Sequence, residues 1–345
     1  MSIDSVNINE FGAFTELRLK FSPGINVFIG ANATGKSQLL KLLYVMHRSA
    51  ESELSVGTVR NKLQSVFKPD HLGRLVHRRR GVNTGSARVD LWGGHVRFSI
   101  SSKASAGLRL WKTPNLKPEA PAIFIPTREA LALFEGFISL YQNREVAFDE
   151  TYYDLCLALD LPSLRGPREE KASRLIAPIE KALGGKVVLE GGRFYVRRPD
   201  GDFEAHLVSE GLRKIGTLAR LVTNGSLTNK GVLFWDEPEA NLNPMLVRQL
   251  IEFLRVLASQ GVQVFLATHD ALVTQRLSLA AEYGIEPKVP IRFFAFYRDD
   301  DEVHYDTGDT LAALEHNPIL EEYGRFYDEE RRAFEAAMLS GEAKP

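Results

Sequence analysis

Eight residues, Gly30-Ala31-Asn32-Ala33-Thr34-Gly35-Lys36-Ser37, fit the pattern G-x-x-x-x-G-K-S of a phosphate-binding loop. Glycines let the backbone approach phosphate oxygens and turn several N–H groups inward. The helix that must follow aims its positive end at the same anion. Lys36 has the reach for β- and γ-phosphates and the Ser37 hydroxyl suits Mg²⁺, with Gln38 the next polar side chain of the site. Two adjacent acids, Asp236 and Glu237, stand behind the apolar run "VLFW". Asp236 suits a Mg²⁺ held mainly through water. Glu237 suits an attacking water that must be oriented or deprotonated, because phosphoryl transfer depends mostly on positioning and charge stabilisation. His269 closes another apolar run, "VQVFLATHD", from which an imidazole can reach a γ-phosphate. Ser209-Glu210-Gly211 opens "SEGLRKIGTLARLV", a helix start that offers N–H groups and a hydroxyl to a phosphate.

Plainer roles exist for the same residues. Asp236-Glu237 also reads as a solvated strand end, with Asn243 and Pro244 starting the next helix. A strand-end histidine tolerates partial burial without any ligand. Ser209 is a good residue for a simple helix N-cap.

The elements around these residues must bring them together. Ile25, Val27, Phe28 and Ile29 read as a buried strand entering the loop, and Leu39, Leu40, Leu43 and Met46 recur at helical spacing behind it, to about residue 50. "GVLFW" and "VQVFLAT" read as strands buried on both faces, ending at the carboxyl edge where parallel sheets bind ligands. Before the loop, "SIDSVNI" and "FTELRLKF" are strands. Residues 51–85 are mixed and polar, "ARVDLW" and "HVRFSIS" form a hairpin, and "APAIFIP" is a further strand. From 128 to 183 the pattern is helical, with a break at "LPSLRGP". A three-strand meander, "KVVLE", "GRFYVRR" and "FEAHLV", then delivers the chain to Ser209.

Composition sets bounds. The 345 residues are 44% hydrophobic and 25% charged, as in an ordinary globular protein. No run approaches the roughly 20 apolar residues of a membrane span, "MSIDSVNINEFGAF" lacks a signal-peptide layout, and Cys156 is the only cysteine. These features predict a cytoplasmic protein with no membrane partner. The net charge of −1 hides a split: residues 71–120 carry ten Lys/Arg against Asp90 and Glu119, and residues 298–345 carry fourteen Asp/Glu against five Lys/Arg. Such a split fits a nucleic-acid face or two faces that meet.

Taken in order, the phosphate loop, Ser209-Glu210-Gly211, Asp236-Glu237-Pro238 and His269 resemble the motifs of ABC-type ATPases. "GANATGKS" and "DEPEANLNP", with its second acid at Glu239, are similar to the SMC/RecF-like branch and the OLD-family ATPases. The resemblance covers about residues 1–50, 86–127 and 186–297. It implies an α/β P-loop NTPase of ABC-ATPase type, a mixed sheet core with an N-terminal antiparallel β subdomain and a helical insertion. The parts would be 1–127 and 186–297 for the core, 128–185 for the insertion and 298–345 for an acidic tail of hairpin and helix. It also implies a homodimer formed on two ATP with Mg²⁺. Lys36 and Ser37 of one subunit and Ser209 and Gly211 of the other would then grip each nucleotide. Departures are the signature Ser-Glu-Gly-Leu-Arg-Lys, Asn243 after the acids, and a loop Pro126-Thr127-Arg128-Glu129 without a lobe-joining glutamine. No long heptad segment provides coiled-coil arms.

Two functions compete. The first is a cytosolic ATPase gating DNA maintenance or anti-phage defence, with DNA or a separately encoded nuclease or toxin as partner. The second is the nucleotide-binding subunit of a membrane transporter, against which the 173 positions between Lys36 and Ser209 count. A small-molecule kinase would need neither Ser209-Glu210-Gly211 nor His269. Asp299 and Asp301 form an Asp-x-Asp, but turn chemistry between "IRFFAFY" and "EVHYD" explains them. The 76 residues after His269 are too few for that hairpin plus a nuclease domain. The last stretch reads as a helix that packs on the head or a partner.

Overall fold

The computed structural model describes residues 3–51, 54–114, 116, 121–227, 230–299 and 302–340. Alternating apolar and polar residues make β1 (Ile3–Phe11) and β2 (Phe14–Lys20) an antiparallel pair with one buried face. In β3 (Ile25–Gly30) every residue is buried, as in a strand covered on both sides. Ile25, Val27 and Ile29 enter one apolar cluster and Phe28 enters another. The phosphate loop follows, and then α1 (Lys36–Glu51).

The expectation for residues 51–85 needs correction, because α2 (Val56–Phe67) lies there. Ser55 caps it by accepting from the Thr58 N–H. Val59, Leu63 and Val66 are its buried stripe, spaced four and three apart, and the polar residues between them mask it. β4 (Thr84–Leu91), β5 (Gly94–Ser101) and β6 (Arg109–Lys112) extend the first sheet to the order β2-β1-β4-β5-β6, antiparallel throughout.

After β7 (Ala122–Ile125) the helical stretch contains α3 (Phe137–Gln142), α4 (Glu150–Asp160) and α5 (Pro167–Leu183). Phe137, Leu155, Leu159 and Ile176 join the same apolar cluster as Ile25 and Val27. These helices therefore cover the main sheet. The meander is β8 (Lys186–Glu190), β9 (Arg193–Arg198) and β10 (Gly201–Glu204), and it leads to α6 (Glu210–Thr223).

The remaining elements alternate: β11 (Val232–Asp236), α7 (Pro244–Ser259), β12 (Gln263–Thr268), α8 (Ala271–Glu282), then the hairpin β13 (Ile291–Asp299) and β14 (Glu302–Gly308). The main sheet runs β14-β13-β3-β12-β11-β7, parallel apart from β14. Its order brings the carboxyl ends of β3, β12 and β11 side by side, so three distant segments meet at one edge. Asp299 ends β13, and Asp301 lies outside the described residues. The last helix, α9 (Pro318–Ser340), packs Ile319 and Leu320 on the core but is exposed from Glu321 to Ala336.

Candidate nucleotide site

The phosphate loop leaves no room for larger residues at its glycines. A Cβ on Gly30 would sit 2.4 Å from the Phe296 carbonyl oxygen, and one on Gly35 would sit 2.6 Å from the Phe14 ring. Gly35 has φ +91° and Ala33 a left-handed φ of 63°, which costs a non-glycine residue about 1 kcal/mol. Internal bonds offset that strain. Thr34 donates its hydroxyl to the Ala31 carbonyl, 2.9 Å, and Arg298 donates to the Ala33 carbonyl, 2.9 Å. The Lys36 ammonium folds over the loop, donating to Gly30 O at 2.6 Å and Ala31 O at 2.8 Å. Burial lowers its pKa, and the carboxylates of Asp236, Glu237 and Glu239 work in the opposite direction. Asn32 is exposed at the turn, and Gln38 accepts from the Ala13 N–H at 2.9 Å.

Two carboxylates leave the end of β11 in different environments. Asp236 is buried and accepts from the Ser37 hydroxyl at 3.0 Å. Burial raises its pKa, and the Ser37 bond opposes the rise. Ser37 and Asp236, predicted together as Mg²⁺ ligands, are thus joined across 199 positions. Glu237 turns out of the strand at φ 50°, anchored by its N–H on the Ala267 carbonyl at 2.8 Å. Its Oε1 lies 3.4 Å from Nδ1 of His269, which projects exposed from the end of β12. Asn243 caps α7 through the Leu246 N–H, so the plainer reading of that residue holds as well.

Ser209 is at the N-cap position of α6, yet its side chain makes no capping bond. It is exposed, and among the described residues only its carbonyl is engaged, accepting from the Arg213 N–H at 3.0 Å. Glu210 begins the first turn. Gly211 is where the helix meets the loop after β11, since a Cβ there would lie 2.5 Å from the Asn241 carbonyl oxygen. Among the described residues, no hydrogen bond or ion pair joins Ser209, Glu210 or Gly211 to Gly30–Gln38 of the same chain.

Three supporting residues were missed by the sequence reading. Glu239 is buried, accepts from the Thr268 hydroxyl at 2.7 Å and the His269 N–H at 3.4 Å, and so fixes the histidine's backbone. The second acid of "DEPE" was its only trace. Lys214 on α6 is 1% exposed and donates to the Glu237 carbonyl at 2.7 Å and the Ala240 carbonyl at 3.3 Å. Burial lowers its pKa, with Glu239 and Glu237 opposing. Glu129, in the loop without a glutamine, pairs with Arg213 at 2.8 Å. That links the loop after β7 to the helix that starts at Ser209.

Two family models match the chain, one described as "AAA ATPase domain" over residues 1–76 and one as "AAA domain, putative AbiEii toxin, Type IV TA system" over residues 106–274. The DNA replication and repair protein RecF of Limosilactobacillus fermentum is 36% identical over 62 residues, 16% of this chain. The crystal structure of an SmcHead bound to the C-winged helix domain of ScpA superposes with a TM-score of 0.56 at 12% identity, over 90% of this chain and 98% of that one. The chain has the fold of an SMC-type ATPase head, and its matched stretches are similar to AAA ATPase domains and to RecF. A putative ABC transporter ATP-binding protein of Methanosarcina acetivorans is also similar to the head, 35% identical over 80 residues and 23% of this chain. The matched stretches span only 17% of the RecF relative and 28% of the transporter relative. The head has an α/β P-loop fold. Among its described residues no helix is long and apolar enough to cross a membrane.

Proposed function

We propose that the head closes on a second copy around two ATP molecules and that slow hydrolysis reopens the pair. One observation carries this reading: the Ser209 hydroxyl sits at a helix start, exposed, and caps nothing. A serine serving only its own helix would satisfy a first-turn N–H. Here the hydroxyl and the first-turn N–H groups of α6 are free to meet a phosphate held by another chain's Lys36 and Ser37.

Ser37 and Asp236 fit Mg²⁺. They are adjacent oxygen donors, and Mg²⁺ commonly takes one or two such protein ligands with water and substrate phosphate. The ion would supply charge neutralisation at the phosphates. Glu237 orients or deprotonates the water, His269 faces the γ-phosphate, and Lys36 leaves its own loop carbonyls for the phosphate oxygens. Glutamine at 237 keeps size and removes the base. Sedimentation of Glu237→Gln carrying Phe334→Glu, which removes any nucleotide-free association through α9, should give a stable dimer only with ATP and no turnover, whereas a monomer with ATP would end the shared-site reading.

We further propose that the head serves DNA maintenance or anti-phage defence, acting on DNA or through a separately encoded nuclease or toxin. The words "DNA replication and repair" and "putative AbiEii toxin" in the relatives' descriptions support those two directions. The outer face of the first sheet offers a surface for the former. Arg18, Asn7, Arg88, Arg97 and Trp111 stand opposite one another across five strands, all exposed, with Arg97 over the Trp111 ring at 5.3 Å. Such a row of guanidinium groups and an aromatic suits a phosphate backbone. Arg79 is already paired with Glu10 and Glu302, at 2.9 and 3.1 Å, so part of the basic region meets the acidic tail within the molecule. The transporter subunit is the second reading, favoured by the Methanosarcina acetivorans relative. Co-purification from the native host with a permease would select it, and with a nuclease or toxin would select defence.

A further inference from the structure

Two unpartnered faces of the head are complementary to each other. The first is α9. Leu320, Tyr323, Tyr327, Phe334 and Met338 recur at spacings of three, four, seven and four, one narrow stripe on a helix. Leu320 packs on the core, but Tyr323, Tyr327, Phe334 and Met338 are 50–63% exposed, so beyond the first turn the stripe has no apolar cover among the described residues. The helix carries six Asp/Glu against three Arg; Glu330 and Arg331 border the stripe between Tyr327 and Phe334, and Glu335 and Asp328 pair with Arg331.

The second face is a groove of about 480 Å³ between α5 and α7. Leu175 and Pro178 of α5 and Phe253 and Val256 of α7 give it apolar walls. Lys171, Arg174 and Arg248 line it against the single acid Glu252. Two amide oxygens in it, Oε1 of Gln249 and of Gln260, are buried without a hydrogen-bond partner among the described residues. A buried acceptor left unpaired costs free energy that a donor would recover, and the tyrosines of α9 carry hydroxyl donors. The lengths agree too. The groove's α7 wall from Arg248 to Gln260 and the stripe from Tyr327 to Met338 each extend roughly 17 Å at 1.5 Å per residue.

We propose that the α5–α7 groove receives α9 from a second copy of this chain. Charge selects this pairing over α9 against α9, in which two acidic helices would face each other. The exchange is reciprocal and closes as a two-fold pair. It needs no nucleotide, so it is separable from ATP-driven closure.

The test uses the full chain without nucleotide, in the Lys36→Ala background as well as the parent. Sedimentation should show dimers in both. Phe334→Glu, at an exposed residue of α9 outside the core clusters of the described residues, should shift them to monomers. So should the Arg174→Glu, Arg248→Glu pair, and adding Glu330→Arg with Glu335→Arg should restore association. Under oxidation, Phe334→Cys combined with Val256→Cys should give a cross-linked dimer, with Cys156 buried and silent. A nucleotide-free parent that is monomeric, or a dimer unmoved by Phe334→Glu, would overturn the proposal. Cross-linking by Phe334→Cys alone would overturn it too, by showing α9 paired with itself.

Discussion

His269 Nδ1 lies 3.4 Å from Glu237 Oε1, although the two residues end different strands, and Glu239 holds the histidine's N–H from beneath. The imidazole is therefore placed to steady the Glu237 carboxylate. His269→Ala should lower kcat by about 10²-fold, within the usual range for losing a positioned acid–base partner, with little change in KM. Steady-state ATPase assays check this. A raised KM with unchanged kcat would make His269 a ground-state binding residue instead.

Lys214 is a buried ammonium that fixes the carbonyl of Glu237 from α6. Lys214→Met keeps the shape but leaves the Glu237 and Ala240 carbonyls without that donor, a cost on the order of 1–3 kcal/mol. The melting temperature should fall, and kcat should fall with it because the φ 50° turn at Glu237 loses a restraint. Thermal unfolding and turnover measured together would show the contacts incidental if neither changed.

Mixing two inactive heads tests the composite site. Lys36→Ala ruins a subunit's own phosphate loop, and Ser209→Arg ruins only what it offers to its partner. Random mixing makes about half the dimers mixed, each with one intact site, so roughly a quarter of sites recover in a closed two-fold pair. Activity should rise toward that fraction, and stay lower if both sites must fire together. No recovery, with a Glu237→Gln protein whose association ATP does not change, removes Ser209 from the shared site.

Duplex DNA binding by the ATP-bound head should weaken steeply with salt. Arg97→Glu, whose guanidinium has no ion pair among the described residues, should reduce it alike for all sequences and lower the slope of log K against log salt by about one, for one lost phosphate contact. Arg79→Glu and Arg88→Glu should each do less, because Arg79 is engaged with Glu10 and Glu302 and Arg88 with Asp90. Binding that is absent, or independent of salt, would assign the basic face to an acidic protein.

The parts of the site that were legible in the sequence are those whose chemistry forbids substitutes. Gly30 to Ser37 could be read because close backbone approach and a reaching ammonium need those residue types. β3, β11 and β12 could be read because strands buried on both faces carry unbroken apolar runs. α2 was hidden because only Val59, Leu63 and Val66 are buried, and a stripe of three is weak against polar neighbours. Lys214 was hidden because lysine is ordinarily a surface residue, and nothing local reveals the carbonyls of a turn 23 positions away. Ser209 was ambiguous for a related reason. A serine at a helix start fits a cap, and only the fold shows that the cap bond is not made.

The link between Arg298 and Ala33 gives the tail a mechanical meaning. β13 pairs with β3 up to Phe296 and Gly30, and its next residues carry Arg298 to the Ala33 carbonyl and the Tyr297 ring to His316, 4.7 Å between centroids. His316 stands just before Asn317, whose side chain accepts from the N–H groups of Ile319 and Leu320 at the start of α9. The helix is a rod of 23 residues, about 35 Å long, whose first turn stands beside β3 and β13. Each degree of tilt about that turn would swing the far end by roughly 0.6 Å. A tilt too small to change the sheet would be amplified at the tip, and a load on the tip would act on the contacts at its start with the same leverage.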